Sequence, residues 1–98
     1  MGKSLARIRK KINAAFSYLS SNYKVAAIYV FGSFSKGTER KKSDIDLLVE
    51  FRQPVSLFTF LSLKNFLEGL LGRKVDLVTR KAVREEMKER ILAEAVKM

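Results

Sequence analysis

The sequence contains no cysteine and no histidine among its 98 residues. Without cysteine, the chain forms no disulfide, no zinc–thiolate site and no cysteine nucleophile. Without histidine, it lacks imidazole metal ligands, a Ser-His pair and the commonest general base. Any chemistry at a site of this chain therefore has to use carboxylates, hydroxyls, amines or backbone amides.

Long apolar runs and acidic residues are also scarce. No apolar run approaches the roughly 18 residues needed to cross a bilayer, and residues 1–11 lack the apolar core of a signal peptide. We therefore expect a cytoplasmic protein with no membrane partner. The sequence has ten Asp and Glu residues and twenty Lys and Arg residues, which gives a formal net charge of +10. This surplus favours a polyanionic partner, such as nucleic acid, a triphosphate or an acidic protein surface.

Length and hydrophobic periodicity predict one small domain over residues 1–98. Apolar spacing predicts a first helix over residues 5–19 that closes at Ser20-Ser21-Asn22. Alternating or β-branched runs predict strands over residues 24–31, 45–51 and 74–79. Further helices are predicted over residues 56–71, with Gly72 as the C-cap, and over residues 82–96. The order α-β-β-α-β-α predicts an α+β fold in which helices cover a small mixed sheet.

Two of the predicted strands carry aspartates on one side only. Asp44 and Asp46 lie at positions i and i+2, so they project from the same face, and the intervening apolar residues supply the core: Ile45, Leu47, Val49 and Phe51. Asp76 faces away from the apolar side of its own strand. If the strands are neighbours, three carboxylates converge, although each pattern taken alone also fits a solvated strand face. Converging carboxylates repel one another, whereas a divalent cation with oxygen ligands, such as Mg²⁺, relieves that repulsion.

The turn after the first strand provides candidate phosphate ligands. Gly32 allows close approach of a ligand to the backbone, and Ser33 is expected to open a short helix whose free N–H groups and hydroxyl face a phosphate. Lys36 and the basic run Arg40-Lys41-Lys42 follow before the aspartates. These cations fit a triphosphate substrate, and a solvated basic loop is the alternative.

Taken together, these motifs resemble the nucleotidyltransferase superfamily related to DNA polymerase beta. The likeness rests on Gly32-Ser33, ten further residues, Asp44-Ile45-Asp46, and a strand aspartate about thirty residues later in Lys74-Val75-Asp76-Leu77-Val78. The short length and the two flanking helices are similar to the minimal nucleotidyltransferase (MNT) branch. The chain has Ser35-Lys36 where relatives often carry Ala-Arg, which keeps the positive charge but loses the fork-shaped donor.

The resemblance implies a mechanism and site residues. Asp44, Asp46 and Asp76 would be the catalytic and metal-binding residues for two Mg²⁺ ions, and Asp76 would also help to deprotonate the acceptor hydroxyl. Gly32, Ser33 and Lys36 would bind the phosphates of ATP or another nucleoside triphosphate. A nucleotidyl group, AMP in the first instance, would then pass to the acceptor and pyrophosphate would leave.

The resemblance also implies a protein partner. Minimal members are commonly the antitoxin of a HEPN ribonuclease toxin and adenylylate a tyrosine of that toxin. The unusually wide apolar face of the helix over residues 56–71 supports a protein partner, or else marks a helix buried at the centre of the fold. The alternatives are a non-catalytic antitoxin that acts by contact alone, a basic nucleic-acid-binding domain and a free-standing transferase for a small aminoglycoside. The sequence leaves open whether the chain also forms a homo-oligomer.

Overall fold

The computed structural model describes residues 3–83 and 85–98. Within these ranges the elements follow one another in this order: α1 (Lys3–Tyr23), β1 (Val25–Phe31), α2 (Ser33–Lys36), β2 (Ile45–Phe51), α3 (Leu57–Leu71), β3 (Val75–Thr79), a 3-10 turn (Arg80–Ala82), α4 (Glu85–Glu94) and β4 (Val96–Lys97).

The strands form one mixed sheet in the order β3-β2-β1-β4. β1 pairs antiparallel with β2 and with β4, whereas β2 and β3 run parallel. The parallel pair is possible because α3 crosses between its two strands. The predicted α+β class, with helices on a small mixed sheet, is confirmed.

The last strand was not predicted from the sequence. The expected helix over residues 82–96 is shorter at both ends, because the 3-10 turn precedes it and Val96 and Lys97 pair with Val30 and Tyr29 of β1. Two residues are too few to show the alternation of a strand. Their conformation is set by hydrogen bonding to the free edge of β1, which overrides the helical spacing of the apolar residues before them.

The first helix continues through the polar run that was expected to close it. α1 includes Ser20-Ser21-Asn22, ends at Tyr23 and is followed by Lys24 with a φ of 61°. Side chains satisfy carbonyls that a helix end leaves without partners: Arg52 Nη2 donates to Ser20 O at 2.6 Å and Lys24 Nζ donates to Ser21 O at 3.2 Å. The polar run therefore forms the last turn of the helix, and the side chains of Arg52 and Lys24 cap its carbonyls.

The main core lies between one face of the sheet and the two long helices. The buried residues of α1 and α3 include Ile12, Leu19, Leu63 and Leu67, and the strands contribute Ile28, Val30, Leu47, Val49 and Leu77. In β2 the alternate residues Ile45, Leu47 and Val49 are buried as predicted, while Phe51 is only half-buried. The second face of the sheet carries the aspartates together with Leu48, which is buried.

α3 is buried along one part of its apolar face and exposed along another. Leu63, Leu67 and Leu71 are buried, whereas Leu57, Phe58 and Leu61 near its beginning are exposed. The helix begins after Ser56, whose hydroxyl accepts a hydrogen bond from the N–H of Thr59 at 3.1 Å, and ends at the predicted C-cap Gly72 with a φ of 69°.

The helices described in residues 3–83 and 85–98 fall short of a membrane span, because none is both long and apolar enough to cross a bilayer.

Candidate active site

Asp46 and Asp76 lie side by side in the sheet. They are register partners on the parallel strands β2 and β3, and partners on adjacent strands project from the same face. Asp44 stands just ahead of β2 and is exposed, as is Asp76, whereas Asp46 is half-buried. The structure therefore brings the three aspartates predicted from the sequence to one edge of the sheet.

The three carboxylates lie at this edge of the sheet but do not surround one common metal position. Among the described residues, no group of three acidic side chains is already arranged around a metal position. The donor set nevertheless fits Mg²⁺, which prefers oxygen ligands, takes few protein carboxylates and keeps coordination positions for phosphate oxygens and water. Asp44, Asp46 and Asp76 offer such oxygens from two strands.

The electrostatics of the edge favour a cation. Burial raises the pKa of Asp46 above its ordinary value, and the negative charges of Asp76 and then Asp44 raise it further. A raised carboxyl pKa means that this location disfavours the ionised form unless a proton or a cation accompanies it. A bound divalent cation would reverse the repulsion among the three groups.

Gly32 places the backbone of the β1–α2 turn directly against the carboxylate of Asp46. Its φ of 71° lies in the left-handed region, and a Cβ added there would overlap Asp46 Oδ2. Only glycine combines this backbone conformation with this approach. The turn and the acidic edge are therefore adjacent in the fold.

α2 begins directly after Gly32, and its first turn is closed on the Gly32 carbonyl. The backbone N–H groups of Ser35 and Lys36 donate to Gly32 O at 3.1 and 3.2 Å, and the Ser35 hydroxyl donates to it at 2.9 Å. The N–H groups before them, at Ser33 and Phe34, have no partner inside the helix.

Lys36 is held by the last turn of α4. Its Nζ lies 2.8 Å from Oε1 of Glu94, and Nε of Arg90 lies 3.6 Å from the same oxygen. The hydrogen bond from Lys36 lowers the pKa of Glu94. Lys36, the predicted phosphate-binding cation, thus forms a salt bridge with a glutamate 58 positions further along the chain. No local sequence pattern indicated this contact.

Arg73 connects the two loops of the site and was missed in the sequence. Its Nη1 donates to the carbonyls of Lys41 at 2.9 Å and Ser43 at 3.1 Å. Its guanidinium carbon lies 5.3 Å from the centre of the Phe34 ring in α2. Arg73 therefore fixes the segment that precedes Asp44 against the helix that follows Gly32. No local sequence pattern indicates these contacts, because the hydrogen bonds join residues 30 and 32 positions apart.

A basic recess adjoins Asp44. It has a volume of about 370 Å³ and is lined by Lys41, Lys42, Ser43, Asp44, Arg73 and Lys74. Two residues of the predicted basic run, Lys41 and Lys42, thus reach this recess. Arg40 does not line it, and its backbone N–H donates to the Ser43 hydroxyl at 2.8 Å. Cations and a carboxylate side by side suit an anionic substrate that arrives with a metal ion.

Comparison with known proteins agrees with this geometry. The family model described as "Nucleotidyltransferase domain" matches residues 10–98. The chain belongs to this family. This nucleotidyltransferase is 36% identical over 93 residues to the protein adenylyltransferase MntA of Thermococcus cleftensis, covering 95% of this chain and 94% of that protein. A Methanocaldococcus jannaschii relative, provisionally named a protein adenylyltransferase, is 37% identical over 81 residues, with 83% of each chain covered.

Solved structures show the same fold. A chain provisionally assigned as a minimal nucleotidyltransferase superposes with a TM-score of 0.82 at 36% identity, covering 96% of this chain and 95% of that chain. A toxin–antitoxin crystallised with AMP-PNP gives a TM-score of 0.72 at 28% identity, covering 87% and 69%. The resemblance drawn from the sequence motifs is confirmed, and the chain is an enzyme of the nucleotidyltransferase class.

Proposed function

We propose that this nucleotidyltransferase transfers AMP from ATP to a hydroxyl of a partner protein, in a reaction that requires Mg²⁺. The observation that carries the proposal is the pairing of Asp46 with Asp76 across β2 and β3, with Gly32 against the Asp46 carboxylate. The names of the relatives support protein adenylylation.

The carboxylates are the residues that would hold the metal. Asp44 and Asp46 would hold two Mg²⁺ ions, and Asp76 would complete the second. When bound, the ions would supply positive charge for the entering and leaving oxygens of an in-line displacement. The raised pKa of Asp46, caused first by burial and then by the charges of Asp76 and Asp44, is the feature of this chain that fits them.

The remaining residues orient the triphosphate and handle the proton. The N–H groups at the start of α2, with the Ser33 hydroxyl and Lys36, would bind the β- and γ-phosphates. The acceptor oxygen would form a bond to the α-phosphorus while the bond from that phosphorus to the bridging oxygen breaks, releasing pyrophosphate. Asp76 would accept the acceptor proton, because the sequence contains no histidine for this role.

We infer that the acceptor is the toxin of a toxin–antitoxin pair and that this chain is the antitoxin. A structural neighbour at 28% identity is a toxin–antitoxin crystallised with the ATP analogue AMP-PNP. The family resemblance indicates a HEPN-domain ribonuclease as the toxin, with a tyrosine as its acceptor residue.

Radiolabelled transfer tests this proposal. The purified chain is incubated with α-labelled ATP, Mg²⁺ and a HEPN-domain protein encoded beside it, and label on the HEPN protein is counted. We expect labelling by the wild type and a loss of at least about 1,000-fold in Asp44→Asn/Asp46→Asn. Glu89→Gln, the same chemical change on an exposed residue of α4, is the control and should label normally. Equal labelling by all three proteins would refute the catalytic assignment.

Neutralisation by contact alone is the second candidate. It is favoured by the exposure of Leu57 at 72% and Phe58 at 81%, since apolar side chains left in water often mark a protein interface. In this case Asp44→Asn/Asp46→Asn would neutralise the toxin as well as the wild type, whereas Leu57→Ser/Phe58→Ser would not. Toxin activity measured with each variant separates the two candidates.

A further inference from the structure

A groove lies at the opposite end of β2 and β3 from the aspartates. Asp46 and Asp76 stand near the beginnings of these parallel strands, whereas the groove follows their ends at Phe51 and Thr79. The β2–α3 loop, the 3-10 turn and Lys88 of α4 complete its walls around a volume of about 960 Å³. It is therefore a surface separate from the transfer site.

The floor and one rim of the groove are apolar. The apolar residues that line it include Pro54, Val55, Leu57, Phe60 and Val78. Leu57 continues onto the surface of α3, where Phe58 is 81% exposed and Leu61 is 47% exposed. Apolar patches that border a pocket usually mark a binding surface, because their exposure to water opposes folding and solubility.

The other rim is basic. Four cations line the groove, Arg52, Arg80, Lys81 and Lys88, against one acidic residue among the described lining residues, Glu50. Glu50 is already bound to Arg80 at 2.9 Å. The groove therefore presents a positive rim beside an apolar floor, and its occupant needs both acidic and apolar side chains.

We propose that this groove, together with Leu57, Phe58 and Leu61, binds an acidic amphipathic segment of a partner protein. A second copy of this chain is a poor occupant, because its formal charge of +10 would meet the basic rim. A nucleic acid would satisfy the cations but leave Leu57 and Leu61 in water. The docking assignment stands whether or not the aspartates catalyse transfer.

Binding of designed peptides to the full chain tests the proposal. The probes are two short fluorescein-labelled peptides with leucine at helical i, i+3, i+4 and i+7 spacing, one with glutamate and the other with lysine at the remaining positions. We expect the glutamate peptide to bind at least about tenfold more tightly than the lysine peptide. Its amide chemical-shift changes should fall on residues 49–60 and 77–82.

Matched variants separate the apolar and charged contributions. Leu57→Ser/Phe58→Ser and Lys81→Glu/Lys88→Glu should each weaken the glutamate peptide about tenfold or more. The controls are Leu92→Ser, on an exposed residue of α4, and Lys10→Glu/Lys11→Glu, on exposed residues of α1, which should bind normally. Circular dichroism verifies that every variant is folded.

Three outcomes would overturn the proposal. They are equal binding of the two peptides, peptide binding that no groove variant weakens, and shift changes centred on the aspartate edge. If an arbitrary oligonucleotide instead displaced the glutamate peptide and caused amide chemical-shift changes at the same groove residues, that result would assign the groove to nucleic acid.

Discussion

Individual residues of the site are held in conformations that favour function over stability. Asp46 is half-buried among other acidic groups, and Gly32 has a left-handed φ against its carboxylate. Neither feature helps the chain to fold, since one crowds like charges and the other uses the residue that loses most entropy on ordering. Both are expected where a metal and a phosphate have to approach closely.

Removing the charge of Asp46 should stabilise the metal-free protein at neutral pH. Its pKa is raised in the folded state, so its contribution to stability is fully present below the unfolded pKa and is lost as pH rises through the folded pKa. Asp46→Asn does not ionise and avoids that loss. Thermal unfolding with a chelator should give Asp46→Asn the higher Tm at pH 7, with the difference vanishing below about pH 4.

Added Mg²⁺ gives the complementary control for Asp46. It should raise the Tm of the wild type and leave that of Asp46→Asn nearly unchanged, because binding to the folded state stabilises it. If Asp46→Asn, measured with a chelator at pH 7, had a lower Tm than the wild type, the electrostatic explanation for the raised Asp46 pKa would be wrong.

Gly32→Ala should lower both stability and the transfer rate by more than the cost of a left-handed backbone alone. Gly37 has a similar φ of 73° but open space around it, so Gly37→Ala should cost only the left-handed backbone, about 1–2 kcal/mol. Gly32→Ala adds overlap with Asp46 and should destabilise further while lowering transfer about 100-fold. Gly69→Ala, in open space on α3, should be stabilising by up to about 1 kcal/mol. Denaturant unfolding and transfer rates for all three variants check this; similar effects at 32 and 37 would refute it.

At the scale of elements, the site depends on how two short loops are joined. Arg73, between α3 and β3, hydrogen-bonds the segment before Asp44 and stacks on Phe34 of α2. The carboxylate of Glu68 also accepts from the N–H of Val75 at 2.9 Å, which fixes the start of β3. These contacts hold the segments that carry Asp44 and Asp76.

Arg73→Lys should therefore impair catalysis more than stability. Lysine keeps the charge but cannot bridge two carbonyls and stack on a ring at once. We expect kcat/KM to fall about tenfold, equivalent to about 1.4 kcal/mol, with altered amide shifts at residues 41–46. Arg9→Lys is the control, because Arg9 also donates to a backbone carbonyl but at Lys97 of β4. Normal kcat/KM in Arg73→Lys would remove its positioning role.

The contact between α4 and α2 limits the charge available to a nucleotide. Glu94 lies 2.8 Å from Lys36, so Glu94→Gln should free that cation and tighten ATP binding about two- to fivefold. Titration of the variant with ATP at low salt measures the change, and Glu89→Gln on the same helix serves as the control. Weaker binding in Glu94→Gln would show that Glu94 instead orients Lys36 for the phosphates.

Elements with strong periodicity were predictable, and the others were not. β2 was predicted at its observed bounds and α3 with its cap Gly72, because alternation and capping are local signals. The end of α1 and the strand β4 were missed, since Arg52 and the edge of β1 decide them from a distance. For the same reason the aspartates and Gly32 were found by motif, whereas Arg73 and Glu94 were not.

At the scale of the whole molecule, an acidic edge is set in a strongly basic chain. In the proposed function, the formal charge of +10 would attract an anionic nucleotide over long range, while the local carboxylates would attract a divalent cation over short range. The groove with Leu57 and its basic rim lies at the other end of the same strands. The fold thus separates the proposed transfer site from the proposed docking surface by the length of β2 and β3.

The central claim is that Asp44, Asp46 and Asp76 bind metal together beside Gly32. Paramagnetic broadening of amide resonances by Mn²⁺, with a non-hydrolysable ATP analogue present, tests it most directly. We predict the strongest broadening at residues 32–33, 44–46 and 76, and its loss in both Asp46→Asn and Asp76→Asn. Broadening centred on other acidic residues, or unchanged by either substitution, would contradict the claim.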